Sequence, residues 1–162
     1  MLDILNKIYK HLFMSLYIRK SKLFTMLIFT INGIKRDTFT SLGVPIFDIK
    51  KSSTCKFGSD LVMVNSARYS TLGKNTRCKF VVFEKAILLV GNKVGMSNSV
   101  IVATKSVVIG NNIMIGGGVT IVDSDFHSLN PLHWHTAADE QNMVSLPVVI
   151  KDNVFIGTKV VI

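Results

Sequence analysis

An apolar residue recurs every six positions through the C-terminal half of the chain. Ile109, Ile115 and Ile121 are six residues apart, and a glycine follows each of the first two. A second aliphatic residue stands two positions before each of them, so alternation along a strand directs both to one face. Glycine tolerates the positive φ of a sharp corner. This pattern is typical of a hexapeptide repeat, in which three short strands form one turn of a triangular prism.

The same spacing extends to both sides of this segment. The residues before the corners are aliphatic or Met, and their partners two positions earlier are aliphatic. The inward pairs are Leu88 and Val90, Val94 and Met96, Val100 and Val102, Val107 and Ile109, Ile113 and Ile115, Val119 and Ile121, Val148 and Ile150, Val154 and Ile156, and Val160 and Ile162. One extra residue separates the block that ends at Val102 from the next block. Three blocks of three strands predict three stacked coils, with parallel strands hydrogen-bonded between coils.

The N-terminal segment has helical periodicity instead. Over residues 1–24, Leu5, Ile8, Leu12 and Leu16 recur at spacings of three and four, which predicts an amphipathic helix. Such a helix either packs on the end or side of the following domain or lies on an acidic membrane surface. The sequence leaves both alternatives open.

The chain therefore divides into two parts. Residues 1–40 hold the helix and a linker, with a turn signal at Asn32-Gly33. Residues 41–162 hold the β domain, which carries an inserted loop over residues 123–147. A long loop in an otherwise economical repeat usually carries function.

The start of the β domain is less regular. Phe57 lies in an imperfect first rung, and a polar segment over residues 65–76, which contains Gly73, predicts a loop. At the other end the repeat runs to Ile162 without the polar cap that solenoids need. We therefore expect a chain shortened at its C-terminus, or an edge covered by another molecule.

The composition restricts the class of protein. The chain has 162 residues, of which 48% are hydrophobic, and a mean hydropathy of +0.40, so it contacts a membrane or buries apolar surface in an oligomer. The uncharged stretch at residues 23–34 is shorter than the roughly 20 residues of a membrane span, and no secretory signal is visible. Cys55 and Cys78 lack metal-site spacing, which favours a reducing cytoplasm.

The charge of the chain is strongly basic. The net charge is +9, and the first 36 residues contain seven Lys or Arg against Asp3 alone. Nucleic acid, an anionic membrane surface or a phosphorylated ligand would each suit this charge. No helix-turn-helix, zinc-finger or aromatic-basic strand signature is present, so we expect no nucleic-acid partner. The expected location is cytoplasmic, and an interfacial helix would bring the chain to the inner face of the membrane.

Four stretches resemble the hexapeptide-repeat O-acetyltransferases, including the maltose, galactoside and surface-polysaccharide acetyltransferases. They are N-K-V-G-M-S-N at residues 92–98, I-G-N-N-I-M-I-G-G-G-V at 109–119, D-S-D-F-H-S-L at 123–129 and P-V-V-I-K-D-N-V-F-I-G at 147–157. The resemblance implies an all-β fold, a left-handed parallel β-helix, here with an N-terminal amphipathic helix. It also implies a homotrimer with sites between subunits, and further coils beyond residue 162.

The resemblance also implies a catalytic base. His127 matches the family histidine that takes a proton from a sugar hydroxyl, which then attacks the thioester of acetyl-CoA. If the preceding stretch is extended, Asp123 and Asp125 share a face with His127, and either could orient the imidazole. The alternative is that both are solvated corner residues and that His127 is an ordinary loop histidine.

Other residues match binding positions of the family. Asn98 aligns with an acceptor-binding asparagine, although a corner Asn with positive φ is the simpler interpretation. Trp134, in the inserted loop, is a second candidate for the acceptor. Phe155 stands where relatives carry an aromatic residue near the CoA arm, or is an outward aromatic of a strand. Gly157 would let the pantetheine approach the backbone.

The segment His133-Trp134-His135 suggests a metal site as an alternative. Two histidines two apart on a strand could bind zinc together with His127. No carboxylate-rich surroundings accompany them, so we expect no metal. The resemblance implies acetyl-CoA as a co-substrate without a bound cofactor, and acetyl transfer to a sugar hydroxyl in surface-polysaccharide synthesis. The alternatives are a catalytically impaired remnant that only oligomerises, and a zinc-dependent β-helix enzyme.

Overall fold

Short strands follow one another through three parallel sheets in a fixed rotation. A computed structural model describes residues 2–72 and 76–162. The strands are β1 (Phe39–Leu42), β2 (Ile46–Ile49), β3 (Thr54–Phe57), β4 (Leu61–Val64), β5 (Lys79–Val82), β6 (Ile87–Val90), β7 (Val94–Ser97), β8 (Val100–Ala103), β9 (Ser106–Ile109), β10 (Ile113–Ile115), β11 (Thr120–Val122), β12 (Val148–Ile150) and β13 (Phe155–Ile156). The sheets have the orders β1-β4-β7-β10-β13, β2-β5-β8-β11 and β3-β6-β9-β12. With the N-terminal helix, this is a parallel β-helix-like fold.

The rotation starts earlier than the regular spacing predicts. Strands β1 to β3 and β4 to β6 complete two rounds, β7 to β9 and β10 to β12 complete two more, and β13 begins another. The first rounds escape the six-residue pattern because some of their corners are longer, so that the equivalent positions Ile49 and Phe57 are eight residues apart. A long connection over residues 65–78 also separates β4 from β5. The predicted loop falls here, and Gly73 lies outside the described residues. β1 begins inside the segment that the sequence assigned to the linker.

The buried side chains follow the predicted pairs in most strands. Ile109, Ile115 and Ile121 are all buried. The exception is β8, where Ile101 and Ala103 are buried, and Ile101 pairs with Ile121.

The predicted inward pair of β8 is therefore wrong by one residue. Val100 and Val102 are only half-buried, because the extra residue falls in the corner after Met96 and not after β8. A slip of one residue moves every side chain of a strand to the other face. Val160 and Ile162, also predicted to face inward, are 38% and 41% exposed on the last turn of the described chain.

The N-terminal helix, α1, is longer than predicted. It spans Leu2–Ile31 and ends at the predicted turn, where Gly33 has a φ of 62°. Its C-terminal half covers the first round of strands, with Phe29 fully buried against Phe39 and Phe57. The packing alternative therefore holds for this half. Among the described residues, no helix combines the length and the hydropathy needed to cross a membrane.

Between β11 and β12 the chain leaves the prism. This insertion contains a short 3₁₀ helix at Pro131–His133 and the helix α2 at Ala137–Gln141. An antiparallel bridge between Ser124 and Ser145 closes its base. The insertion is therefore a folded segment whose two ends are held together where they leave and rejoin the prism.

Candidate functional site

Local capping fixes the shape of the insertion. Asn130 caps the 3₁₀ helix, because its side chain accepts a hydrogen bond from the backbone N–H of Leu132. Thr136 caps α2 in the same way, accepting from the N–H of Ala138. The side chain of Asp139 stands at the third position of α2, so this cap determines where its carboxylate lies.

The carboxylate of Asp139 binds the imidazole of His127. Oδ2 of Asp139 lies 2.8 Å from Nδ1 of His127, and Oδ1 accepts the backbone N–H of Ser128 at 2.7 Å. The two contacts are made to consecutive residues of the chain, so the carboxylate holds both the ring and the backbone beside it. The Asp139 side chain is only 17% exposed, whereas that of His127 is 72% exposed.

These contacts determine which ring nitrogen carries the proton. The hydrogen bond with His127, followed by that from the Ser128 N–H, lowers the pKa of Asp139. An ionised carboxylate can only accept hydrogen bonds, so Nδ1 of His127 must donate. In the neutral ring Nε2 then has the free lone pair, which is the arrangement of a general base.

A concavity of about 290 Å³ opens at this pair, lined by His127, Trp134, His135 and Asp139. The indole of Trp134 is held by its Nε1, which donates to the carbonyl oxygen of Ser128 at 2.7 Å, and the residue is 49% exposed. A fixed, half-exposed aromatic ring therefore stands beside the imidazole. The arrangement can bind a small ligand with an apolar face next to a proton acceptor.

The expected carboxylate partners of His127 lie elsewhere. Phe126 has a φ of 61°, so the D-S-D-F-H stretch is not extended and its alternate residues do not share a face. Asp125 is exposed, and its backbone N–H donates to the carbonyl oxygen of Val144. The structure therefore pairs His127 with Asp139 in place of Asp123 or Asp125.

Asp123 holds a corner of the prism together. It is 3% exposed and continues the inward row of β11, where its carboxylate accepts four hydrogen bonds of 2.6 to 2.7 Å. The donors are the N–H and hydroxyl of Thr104 and the N–H groups of Lys105 and Ser106. This buried role differs from both sequence interpretations, the catalytic one and the solvated one.

The predicted binding residues are spread over the prism. Asn98 is 2% exposed at a positive φ of 49°, and its amide donates to the carbonyl oxygen of Thr76, so it is a buried corner residue.

Phe155 is 75% exposed on the outer face of β13, beside Met114 of β10. A Cβ at Gly157 would meet only ordinary contact, the Val160 side chain at 3.9 Å, so packing within the chain does not require glycine there. Of the predicted binding residues, Trp134 alone lines the concavity at His127.

The two histidines that flank Trp134 are not on a strand. His133 ends the 3₁₀ helix, and its Nδ1 lies 2.9 Å from Oγ of Ser128. His135 has a φ of 61°, which turns the chain between the two helices. Within residues 2–72 and 76–162, no three His, Cys, Asp or Glu side chains cluster as metal ligands would.

Sequence reasoning did not identify Asp139 and Ser128. A signal was present, because Thr136 and Asp139 have the spacing of a helix N-cap and its third residue. That signal predicts a helix start within the insertion but not its contact with His127. No family model, curated protein or solved structure matches the chain.

Proposed function

We propose that this chain transfers an acetyl group from acetyl-CoA to a hydroxyl of a sugar, as an enzyme of the left-handed β-helix O-acetyltransferase class that its sequence resembles. One observation carries the proposal: His127 lines the concavity and is held through Nδ1 by an ionised Asp139, which leaves the lone pair of the neutral ring on Nε2. The parallel β-helix-like fold supports it, and the left-handed coiling is part of the proposal.

The reaction needs one base and no bound cofactor. Nε2 of His127 takes the proton of the acceptor hydroxyl while its oxygen attacks the thioester carbonyl carbon. The tetrahedral intermediate collapses, the carbon–sulfur bond breaks, and the CoA thiolate takes the proton back from Nε2. Asp139 keeps the ring in the correct tautomer and stabilises the transient imidazolium. Asp139 is thus a positioning residue, and His127 is the catalytic one.

The concavity suggests where the acceptor binds. The half-exposed indole of Trp134 offers an apolar platform for the C–H face of a sugar ring in the same concavity as His127. Phe155 and Gly157, on the last turn, are the candidate contacts of the CoA arm. We further propose a homotrimer, in which a neighbouring chain completes the site, and a role in surface-polysaccharide synthesis at the inner face of the membrane.

The test is release of CoA thiol from acetyl-CoA with a panel of sugar acceptors. His127→Ala should lower turnover by about 10²- to 10⁴-fold, with circular dichroism and sedimentation unchanged. His11→Ala, on the exposed surface of α1, is the matched control and should leave turnover at the wild-type level. His133→Ala and His135→Ala should reduce turnover much less than His127→Ala. Equal turnover of His127→Ala and the wild type would exclude His127 as the base. Turnover that increases with added zinc would instead support the metal alternative.

A non-catalytic, oligomerising β-helix is the second candidate. The outer face of one sheet favours it, since Val62, Met114 and Phe155 are exposed apolar residues at one register of that sheet, with Gly95 between Val62 and Met114. This candidate predicts stable self-association with no thiol release for any acceptor. Sedimentation and the transferase assay on the same preparation distinguish the two.

A further inference from the structure

Helix α1 presents a stripe of leucines on the side opposite its packed face. The packed face is marked by the buried residues Ser21, Thr25 and Phe29. Five leucines form the leucine stripe, and each of them is between 55% and 61% exposed: Leu5, Leu12, Leu16, Leu23 and Leu27. At about 100° per residue these five positions fall within roughly 60° of the helix circumference. The stripe therefore runs almost straight along most of α1.

The spacing of the stripe does not fit the seam of a heptad coiled coil. The leucines recur at intervals of seven and four, a repeat of 11 residues over three turns, which a nearly straight helix presents on one side. A coiled-coil seam repeats every seven residues and would continue from Leu5 and Leu12 to position 19, which is Arg19. Burying that guanidinium in a seam is costly. The stripe is therefore not a heptad seam, and because it stays on one side of α1 it can lie flat on a surface.

Basic side chains flank the stripe. Arg19 and Lys20 are exposed and fall on its two opposite borders, about 40 to 50° from its centre at 100° per residue. Long basic side chains can extend along apolar surface and place their charges at a polar boundary. Asp3 is the single acidic residue in α1, and it falls on the packed side of the helix. Exposed apolar side chains continue beyond both cations, with Ile8 on one side and Phe24 on the other. A basic helix with a broad exposed apolar face is complementary to a surface that is apolar beneath a layer of negative charge.

We propose that α1 docks in the plane of an anionic lipid surface, with the leucine stripe in contact with the acyl chains. Arg19 and Lys20 bind the lipid phosphates on either side. The face that carries Phe29 stays on the prism, so docking leaves the fold unchanged. This inference goes beyond the proposed acyl transfer and does not depend on it.

The test is co-sedimentation of the full chain with vesicles. Vesicles of phosphatidylcholine containing about one third phosphatidylglycerol should bind the chain, and pure phosphatidylcholine should bind it weakly. Binding should weaken as salt rises from low to physiological concentration, because screening reduces the attraction of exposed charges. Equal binding to both vesicle types, or none to either, would overturn the proposal.

Charge variants identify the residues that bind. The double variant Arg19→Gln/Lys20→Gln should weaken binding to the anionic vesicles by roughly 30-fold, since each basic residue near such a surface contributes about fivefold. The control Lys51→Gln/Lys105→Gln removes the same charge from two exposed corners of the prism and should weaken binding much less. Equal losses in both variants would mean that net charge, and not α1, binds the vesicles.

Variants of the leucine stripe distinguish lipid binding from self-association of the chain. Leu12→Gln/Leu23→Gln should weaken vesicle binding by about tenfold or more, while the exposed pair Leu132→Gln/Leu146→Gln should change it little. Sedimentation without lipid is the decisive companion measurement. A lower mass for Leu12→Gln/Leu23→Gln than for the wild type would show that the stripe joins copies of the chain, and the lipid proposal would fail.

Discussion

Asp139 binds Nδ1 of His127 at 2.8 Å across 12 residues of the chain. The ring therefore takes its orientation from a small helix inside the insertion and not from the strand that precedes it. The same carboxylate accepts the N–H of Ser128, so one side chain fixes both the ring and its backbone.

Replacing Asp139 by Asn should disable His127 without unfolding the chain. The amide can donate as well as accept, so it no longer requires the proton to be on Nδ1. We expect kcat to fall by roughly 10²- to 10⁴-fold with little change in KM, since the loss acts on the proton transfer. Asp139→Glu keeps the charge and should recover part of kcat. Equal kcat for Asp139→Asn and the wild type would refute the positioning role.

The Asp139 contact should also make stability depend on pH. Its pKa is lowered in the folded chain by the His127 and Ser128 hydrogen bonds, whereas an unfolded Asp titrates near about 3.9. A lowered pKa stabilises the fold fully above the unfolded value and loses this contribution as pH falls through the folded value. The Tm difference between wild type and Asp139→Asn should therefore be fully present at about pH 5 and shrink as the pH falls from there through the lowered pKa of Asp139. A difference that keeps growing below about pH 4 would contradict the assignment.

Two aspartates of the same motif should behave differently when removed. Asp123→Ala leaves the N–H groups of Lys105 and Ser106 without their acceptor and should lower the free energy of unfolding by about 1 to 3 kcal/mol. Asp125→Ala removes an exposed side chain and should cost less than about 0.5 kcal/mol. Urea titrations of both variants measure the contrast. Equal costs would mean that the corner is not held by Asp123.

The two faces of β10 provide a test of the register. Ile115 is 4% exposed, and Ile115→Ala should destabilise the chain by about 2 to 5 kcal/mol because the surrounding coils cannot close the cavity. Met114 is 61% exposed on the same strand, and Met114→Ala should cost under about 1 kcal/mol in the monomer. Denaturant unfolding at low protein concentration is the measurement. The reverse order would place the strand one residue out of register.

Local pattern was sufficient for most of the strands. A strand has a fixed period of two and a coil repeats it, so Ile109, Ile115 and Ile121 could be assigned inward from spacing alone. The inward pair of β8 was predicted wrongly, because spacing detects an extra residue but not which corner holds it. Only the pairing of Ile101 with Ile121 decides that. α1 was also detected by period, but the period predicted a helix over residues 1–24, whereas the helix continues to Ile31 and packs Phe29 against the first coil.

The sequence by itself determined the parallel strands, the helix, the insertion and His127 as the candidate base. Only the tertiary structure decided the partner of that base. The reason is physical: sequence periods report which face a residue occupies within one element, and the insertion has no period. Asp123 stays inward in the row that β11 begins, Phe126 takes a positive φ that separates His127 from that row, and the cap at Thr136 brings Asp139 back to His127. Contacts of this kind depend on how two irregular segments meet in space, which the order of residues alone does not specify.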